Sequence, residues 1–329
     1  MVRAKTKTTP FWGPASAAGR KVLGSFWVGL GILSLAICWL ALFGSPFLQL
    51  VLVTAGTYAI VVLGLNVLTG YCGQVSFGHN AFMAIGGYAA ALGTTRYGLD
   101  PWVAVAVGVI LAAIAASLVG YPVLRLRGHY LGAATLAFGL AVYAFAANSD
   151  FTNGFIGVGG IPPLRLFGVD LRTRSLNLAT VWFFVGIAAV SVHLLGRSKV
   201  GALLSAVRTD EDLAASCGIN IHLVKLLAFV ISAVFAAVAG SLYAYSISYI
   251  NAEPFGLQTV ALLFIMLFMG GLRRPFGAIG ASVLLILAPQ EFSWLQAWYP
   301  AFINTALLIF LLGAGRGRRY LALGGFLKR

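Results

Sequence analysis

Ten apolar runs separated by short polar segments constrain this chain more than any other feature. Nine of them fall at about 26–43, 48–66, 101–124, 130–148, 178–196, 222–247, 258–272, 276–292 and 298–314, and approach or exceed the roughly 20 residues that a helix needs to cross hydrocarbon. The tenth, at about 79–94, is shorter and glycine-rich, with Gly86-Gly87 inside it. It reads as a tilted span, a half-helix or a re-entrant segment, because non-helical backbone at membrane depth is tolerated where protein buries it or a water-filled path runs past it. The expected fold class is therefore all-α, a polytopic membrane protein of about ten spans. Composition agrees: 9% of the residues are charged, against about 25% in a soluble domain. The first run follows a long basic segment and lacks a small-residue cleavage site at Phe43-Gly44-Ser45-Pro46, so it reads as a retained span rather than a secretion signal.

Charge placement orients these spans. With the N-terminus inside, eighteen of the 22 basic residues lie in inside segments, and only Arg96, Arg165, Arg172 and Arg174 lie outside. That asymmetry is the positive-inside pattern and places both termini in the cytoplasm. The resulting layout is a basic tail at 1–25, a transmembrane domain at 26–315 and a second basic tail at 316–329. The eight acidic residues, Asp100, Asp150, Asp170, Asp210, Glu211, Asp212, Glu253 and Glu291, sit in loops or at span ends. A proton-coupled carrier commonly holds a carboxylate within the membrane, so a stand-alone secondary transporter is the weaker alternative. The net charge of +14 belongs to span flanks and not to a soluble basic patch, which argues against nucleic acid as a partner. Cys38, Cys72 and Cys217 lack metal-ligand spacing, and the histidines at 79, 129, 193 and 222 are scattered. Neither a metal site nor a catalytic cluster is expected, and the chain does not read as an enzyme.

Two internal loops exceed about 20 residues. The outer one, 149–177, is rich in turn-forming glycine and proline around Thr152-Asn153-Gly154 and Gly159-Gly160-Ile161-Pro162-Pro163, and reads either as a docking surface for an external partner or as a connector. The inner one, 197–221, has a helical pattern of its own, with Val200, Leu203, Leu204 and Val207 on one face. Thr209 is a candidate N-cap for a second short helix whose first turn holds Asp210, Glu211 and Asp212, and Gly218 suits its stop. Two short helices on the cytoplasmic side, shaped to fit a cleft on a cytoplasmic protein, are expected here.

The stretch Leu65-Asn66-Val67-Leu68-Thr69-Gly70-Tyr71-Cys72-Gly73-Gln74-Val75-Ser76-Phe77-Gly78-His79-Asn80-Ala81-Phe82, continuing to Gly86-Gly87-Tyr88, resembles the signature of branched-chain amino-acid ABC transporter permeases of the LivM kind. Three further blocks agree in order: Leu124-Arg125-Leu126-Arg127-Gly128 through Thr135-Leu136-Ala137-Phe138-Gly139, the outer loop from Thr152 to Pro162, and Arg208 through Gly218-Ile219-Asn220. The late family motif GGLGSxxGPxxGA reads Gly270-Gly271-Leu272-Arg273-Arg274-Pro275 here, with two arginines in place of small residues; His129 and Leu140 also depart from the family pattern. The resemblance implies a subunit of an ABC importer in the bacterial cytoplasmic (inner) membrane. Its partners would be a second permease subunit, two cytoplasmic ATP-binding subunits and an extracytoplasmic solute-binding protein. No cofactor is expected in this chain, ATP being used by the partners; the sequence contains no G-x-x-x-x-G-K-[ST] phosphate loop. The expected solute is a branched-chain amino acid, with urea, short amides or aromatic acids as the alternative in the same class.

Two sets of candidate residues follow. Arg208, Asp210, Glu211 and Asp212 are expected at the contact with the ATPase. Gln74, Ser76, His79 and Asn80 are expected along the solute path, because a zwitterion with an apolar side chain needs weak polar contacts and exposed backbone N–H groups rather than a deep trap. For each of these four, capping or bonding a broken helix is the competing role. Trp294, Trp298 and Tyr299 read as an outer interfacial belt.

Overall fold

Short polar residues cap three of the long apolar helices. Ser45 accepts from Leu48 N ahead of Pro46, Asp100 accepts from Trp102 N ahead of Pro101, and Asn220 accepts from Leu223 N. Each satisfies one of the orphan donors of a first turn, and proline at the first helical position gives up no bond the helix could use. The computed structural model describes residues 17–126, 128–166, 169–170 and 173–291, and positions 301 and 305. The first part of the basic tail, Arg127, most of the run at 298–314, the Trp294–Tyr299 belt and the C-terminal tail lie outside the described residues.

The helices are α1 Ala17–Phe43, α2 Pro46–Leu65, α3 His79–Thr95, α4 Pro101–Val123, α5 His129–Asn148, α6 Arg174–Arg197, α7 Lys199–Thr209, α8 Glu211–Ser216, α9 Ile221–Ile247, α10 Leu257–Gly270 and α11 Pro275–Glu291. Nine of the ten apolar runs are thus helical. The stretches Pro46–Tyr71, Pro101–Val123, Tyr130–Asn148, Ser175–Arg197 and Ile221–Ile247 are long and apolar enough to cross a membrane. The run at 258–272, expected as a span, forms α10, a helix of 14 residues, about 21 Å long and short of the roughly 30 Å hydrocarbon core. α3, at 17 residues, is about 25 Å long and is also short.

α9 forms the centre. It packs most extensively on α3, and also on α4 and α2, while α6 and α11 pack mainly on α2. The α3–α9 crossing depends on glycine. A Cβ on Gly86 would run into the Ala237 backbone, and a Cβ on Gly240 into the Met83 backbone. Ser241 Oγ uses this closeness to donate to Gly86 O at 3.0 Å. In an apolar solvent such packing, rather than hydrophobic burial, holds helices together. Gly240→Ala is accordingly expected to destabilise the chain by about 1–3 kcal/mol, because backbone cannot swing aside. Gly186→Ala, at a position with nothing near the added carbon, is the control and is expected to be neutral. Thermal unfolding in detergent compares the two, and equal melting temperatures would refute the packing account.

Two-residue strands occupy the loops. β1, Val158–Gly159, pairs antiparallel with β4, Tyr249–Ile250, just after α9; β2, Arg165–Leu166, pairs with β3, Val169–Asp170. Tyr249 Oη donates to Ile156 O at 2.6 Å. The loop that begins at residue 149 is therefore fastened to the segment that leads from α9 into α10.

Candidate functional site

α2 passes without a break into a π-helical turn, Asn66–Tyr71; residues 72–78 are then non-helical, and α3 starts at His79. Single π turns of this kind are rare and concentrate at functional sites. The local reason is Gly70: a Cβ there would collide with Asn66 Oδ1, so glycine lets the asparagine side chain fold over the turn. That fully buried oxygen accepts from Arg273 N at 2.7 Å.

The α3 end of the interruption is buried at Ser76 and Gly78. Phe77 N donates to Thr135 Oγ1 of α5 at 3.0 Å. His79 Nδ1 lies 3.3 Å from Ser76 Oγ, and His79 Nε2 lies 2.8 Å from Ser232 Oγ of α9. Ser232 donates its own proton to Phe229 O at 2.8 Å. The network is satisfied when His79 Nε2–H donates to Ser232 and Nδ1 accepts from Ser76, a tautomer assigned from these partners. Both ring nitrogens are thus used in holding the break closed.

Asn80 differs. Its Nδ2 donates to Phe255 O at 2.7 Å, while its Oδ1 is buried and has no partner. Gly139, opposite, makes room for that oxygen by lacking a Cβ. The Tyr88 hydroxyl, about two turns further along α3, is also buried without a partner, and its ring lies 6.0 Å from that of Phe255. Phe255 lies two residues before α10, so the starts of two short helices meet at Asn80, whose Oδ1 has no partner. Ser76, His79 and Asn80 line a crevice with Leu65, Phe77, Val260, Leu263 and Phe264 that has no room for a water-sized molecule. The arrangement is closed at this level.

Gln74 does not join the other three. Its Nε2 donates to Glu211 Oε1 at 3.3 Å, in a second polar junction formed with α7 and α8. Glu211 Oε1 is 2.7 Å from Lys225 Nζ, whose side chain is only 4% exposed. Arg208 Nη1 donates to Gly70 O, the same oxygen that accepts from Arg273 Nε at 3.0 Å. Arg273 Nη2 also donates to Ser205 Oγ at 3.2 Å, and its guanidinium stands 5.3 Å from the centre of the Tyr71 ring. Burial, and then the Arg273 charge, holds Arg208 below the usual arginine range.

The α8 N-cap is Asp210 and not the expected Thr209. Asp210 Oδ1 accepts from Asp212 N and Leu213 N, both at 3.0 Å, from an extended backbone at φ −157° and ψ 114°. Thr209 is still the last residue of α7, and its hydroxyl donates back to Ser205 O at 2.8 Å. Gly218, at φ +79°, follows α8 as expected. Of the four expected ATPase-contact residues, Arg208 and Glu211 reach inward to the broken helix and α9, while Asp210 and Asp212 are on the surface. Sequence reasoning did not assign Asn66, Thr135, Ser232 or Lys225 to either junction. Lys225 carried a signal: it is a lone charge near the start of an apolar run, which in a membrane chain calls for a partner.

Five helices long and apolar enough to cross a membrane, with one of the apolar helices interrupted by a polar segment, give the architecture of a multi-pass membrane protein. A profile of the family described as "Branched-chain amino acid transport system / permease component" matches residues 47–312. The chain is 32% identical over 285 residues to the high-affinity branched-chain amino acid transport system permease protein LivM of Escherichia coli K12, covering 79% of this chain and 67% of that one. It is 29% identical to the corresponding LivH of Salmonella typhimurium LT2, over 79% of this chain and 90% of that one. A probable LivM of Methanocaldococcus jannaschii is 25% identical over 73% of this chain and 80% of that one. The chain belongs to this branched-chain amino acid permease family. No solved structure matches it.

Proposed function

We propose that this chain is the permease subunit of an ATP-driven importer for branched-chain amino acids or closely similar small solutes. In this reading it lies in the bacterial cytoplasmic membrane with about ten spans and both termini inside. It pairs with a second permease subunit and two ATP-binding subunits, and receives solute from an extracytoplasmic binding protein. The permease domain runs over 26–315 between the two basic tails. The observation that carries the reading is the direct bonding of the α7–α8 pair to the interrupted helix. Arg208 reaches Gly70 O, and Glu211 joins Gln74 to Lys225. Movement of α7 and α8 by an ATPase would thereby reach the closed crevice around Asn80. Packed interfaces with two arrangements turn such small shifts into switching between states. In this reading Asp210 and Asp212 meet the ATPase, and Ser76, His79 and Asn80 border the solute path.

The test is uptake into liposomes containing the chain with its permease and ATPase partners and the matching binding protein, using radiolabelled leucine with urea and benzoate for comparison. Leucine uptake that requires both ATP and the binding protein is expected. Uptake of urea or benzoate alone would keep the importer and replace the solute. Uptake by this chain without an ATPase would replace the importer by a secondary carrier.

A further inference from the structure

Arg273 occupies a position where the family pattern has a small residue, and its backbone adopts φ +63°, a conformation that glycine accepts more readily than any residue with a side chain. Four contacts hold the arginine there. Its backbone N–H bonds Asn66 Oδ1, its Nε bonds Gly70 O, its Nη2 bonds Ser205 Oγ, and its guanidinium lies against Tyr71. The residue thus touches the π turn at the end of α2 and the second turn of α7 from the tight turn between α10 and α11. A planar guanidinium can bond in two directions at once, which a lysine ammonium on a flexible stem does less well. Among the described residues no carboxylate pairs with Arg273 or with Arg208; the shared carbonyl of Gly70 is what draws the two cations together.

We propose that Arg273 is a positioning residue that couples α7 to the interrupted helix, so that a displacement of α7 moves the π turn and with it the polar segment that enters α3. This rests on the importer reading for its functional consequence, though not for its geometry. Arg273→Gly is the informative variant, because it removes the guanidinium and relaxes the backbone at once. A residue with a purely structural role would cost stability on removal. The glycine variant is instead expected to melt no lower than the parent, while the link is lost.

The link has a native reporter. Cys72, two residues beyond Gly70, is fully buried, whereas Cys38 and Cys217 are exposed. In a chain with Cys38→Ala and Cys217→Ala, maleimide labelling of Cys72 in detergent is expected to rise about tenfold on Arg273→Gly, the scale set by losing one charge-assisted hydrogen bond. Arg273→Lys is expected to restore part of the protection. In the assembled complex, Arg273→Gly is expected to leave ATP hydrolysis within about twofold of the parent and to lower leucine moved per ATP about tenfold. Unchanged Cys72 labelling overturns the proposal, as does a proportional fall of hydrolysis and uptake together. If the parent complex moves no solute with ATP, the importer reading fails by itself, and the labelling result still decides whether Arg273 ties α7 to the π turn.

Discussion

Glu211→Ala is expected to destabilise the chain by about 3 kcal/mol or somewhat more, the low end of the range for stripping one partner from a buried ion pair. The low end applies because the Glu211 side chain is 30% exposed while that of Lys225 is 4% exposed. Removing the carboxylate leaves the ammonium inside α9 without a counter-charge, and also leaves Gln74 Nε2 without its acceptor. Lys225→Met is expected to cost less, about 1 kcal/mol, since it removes the buried charge and leaves Glu211 partly hydrated. The double variant Glu211→Ala, Lys225→Met is expected to be more stable than Glu211→Ala alone, because an apolar replacement of a buried pair is often close to neutral. Thermal unfolding of all four proteins in detergent closes the cycle. Strict additivity of the two losses would mean that the pair is not coupled and that the account of Lys225 is wrong. The double variant has a second use, because it separates the stability of α9 from the tie between α8 and the broken helix.

The helices were legible because membrane-length apolar runs announce themselves without any periodicity; α2, α4, α5, α6 and α9 fall where the runs do. The run at 79–94 was readable as too short for an easy crossing because it has too few apolar residues and a glycine pair; it forms α3, an unbroken helix of 17 residues. α7 followed from the spacing of Val200, Leu204 and Val207, and α8 from the acidic residues 210–212 ahead of Gly218. Leu203, expected on the same face, is 39% exposed, so the packed face is narrower than the pattern implied. What the sequence could not supply is the set of non-local bonds. His79 meets Ser232 and Asn80 meets the Phe255 carbonyl, 153 and 175 residues away. Serine and threonine in an apolar helix usually bond their own preceding turn, so nothing local singles out Ser232 or Thr135. A backbone acceptor such as Phe255 O or Gly70 O carries no residue-type signal at all. Gln74 was grouped with Ser76, His79 and Asn80 by proximity in the chain, yet the non-helical turn sends it to Glu211 instead. Arg273 stood out as the wrong residue type for its motif, but only the fold shows that it reaches α7.

Asn80→Leu is expected to lower ATP-driven leucine uptake by about 5- to 150-fold, the population shift that a change of 1–3 kcal/mol produces between two arrangements. Leucine keeps the branched shape of asparagine but is bulkier against Gly139, so uptake is read per folded molecule. What disappears is the 2.7 Å bond to Phe255 O and the unpartnered Oδ1. The Phe255 carbonyl then lacks its donor at the entry to α10, and the link between the starts of α3 and α10 is lost. Asn80→Asp separates the two functions of the side chain. It keeps an acceptor where Oδ1 stands but, when ionised, sets a carboxylate against a carbonyl. His79→Phe serves as the comparison on the neighbouring residue, because both nitrogens of His79 are already occupied by Ser76 and Ser232. That variant is expected to lose stability first, and uptake only in proportion to folded protein. If Asn80→Leu transports at the parent rate per folded molecule, the junction of α3 with α10 is not part of the solute path. If His79→Phe instead abolishes transport at full stability, the functional contact belongs to the histidine, and the assignment of the two residues is reversed.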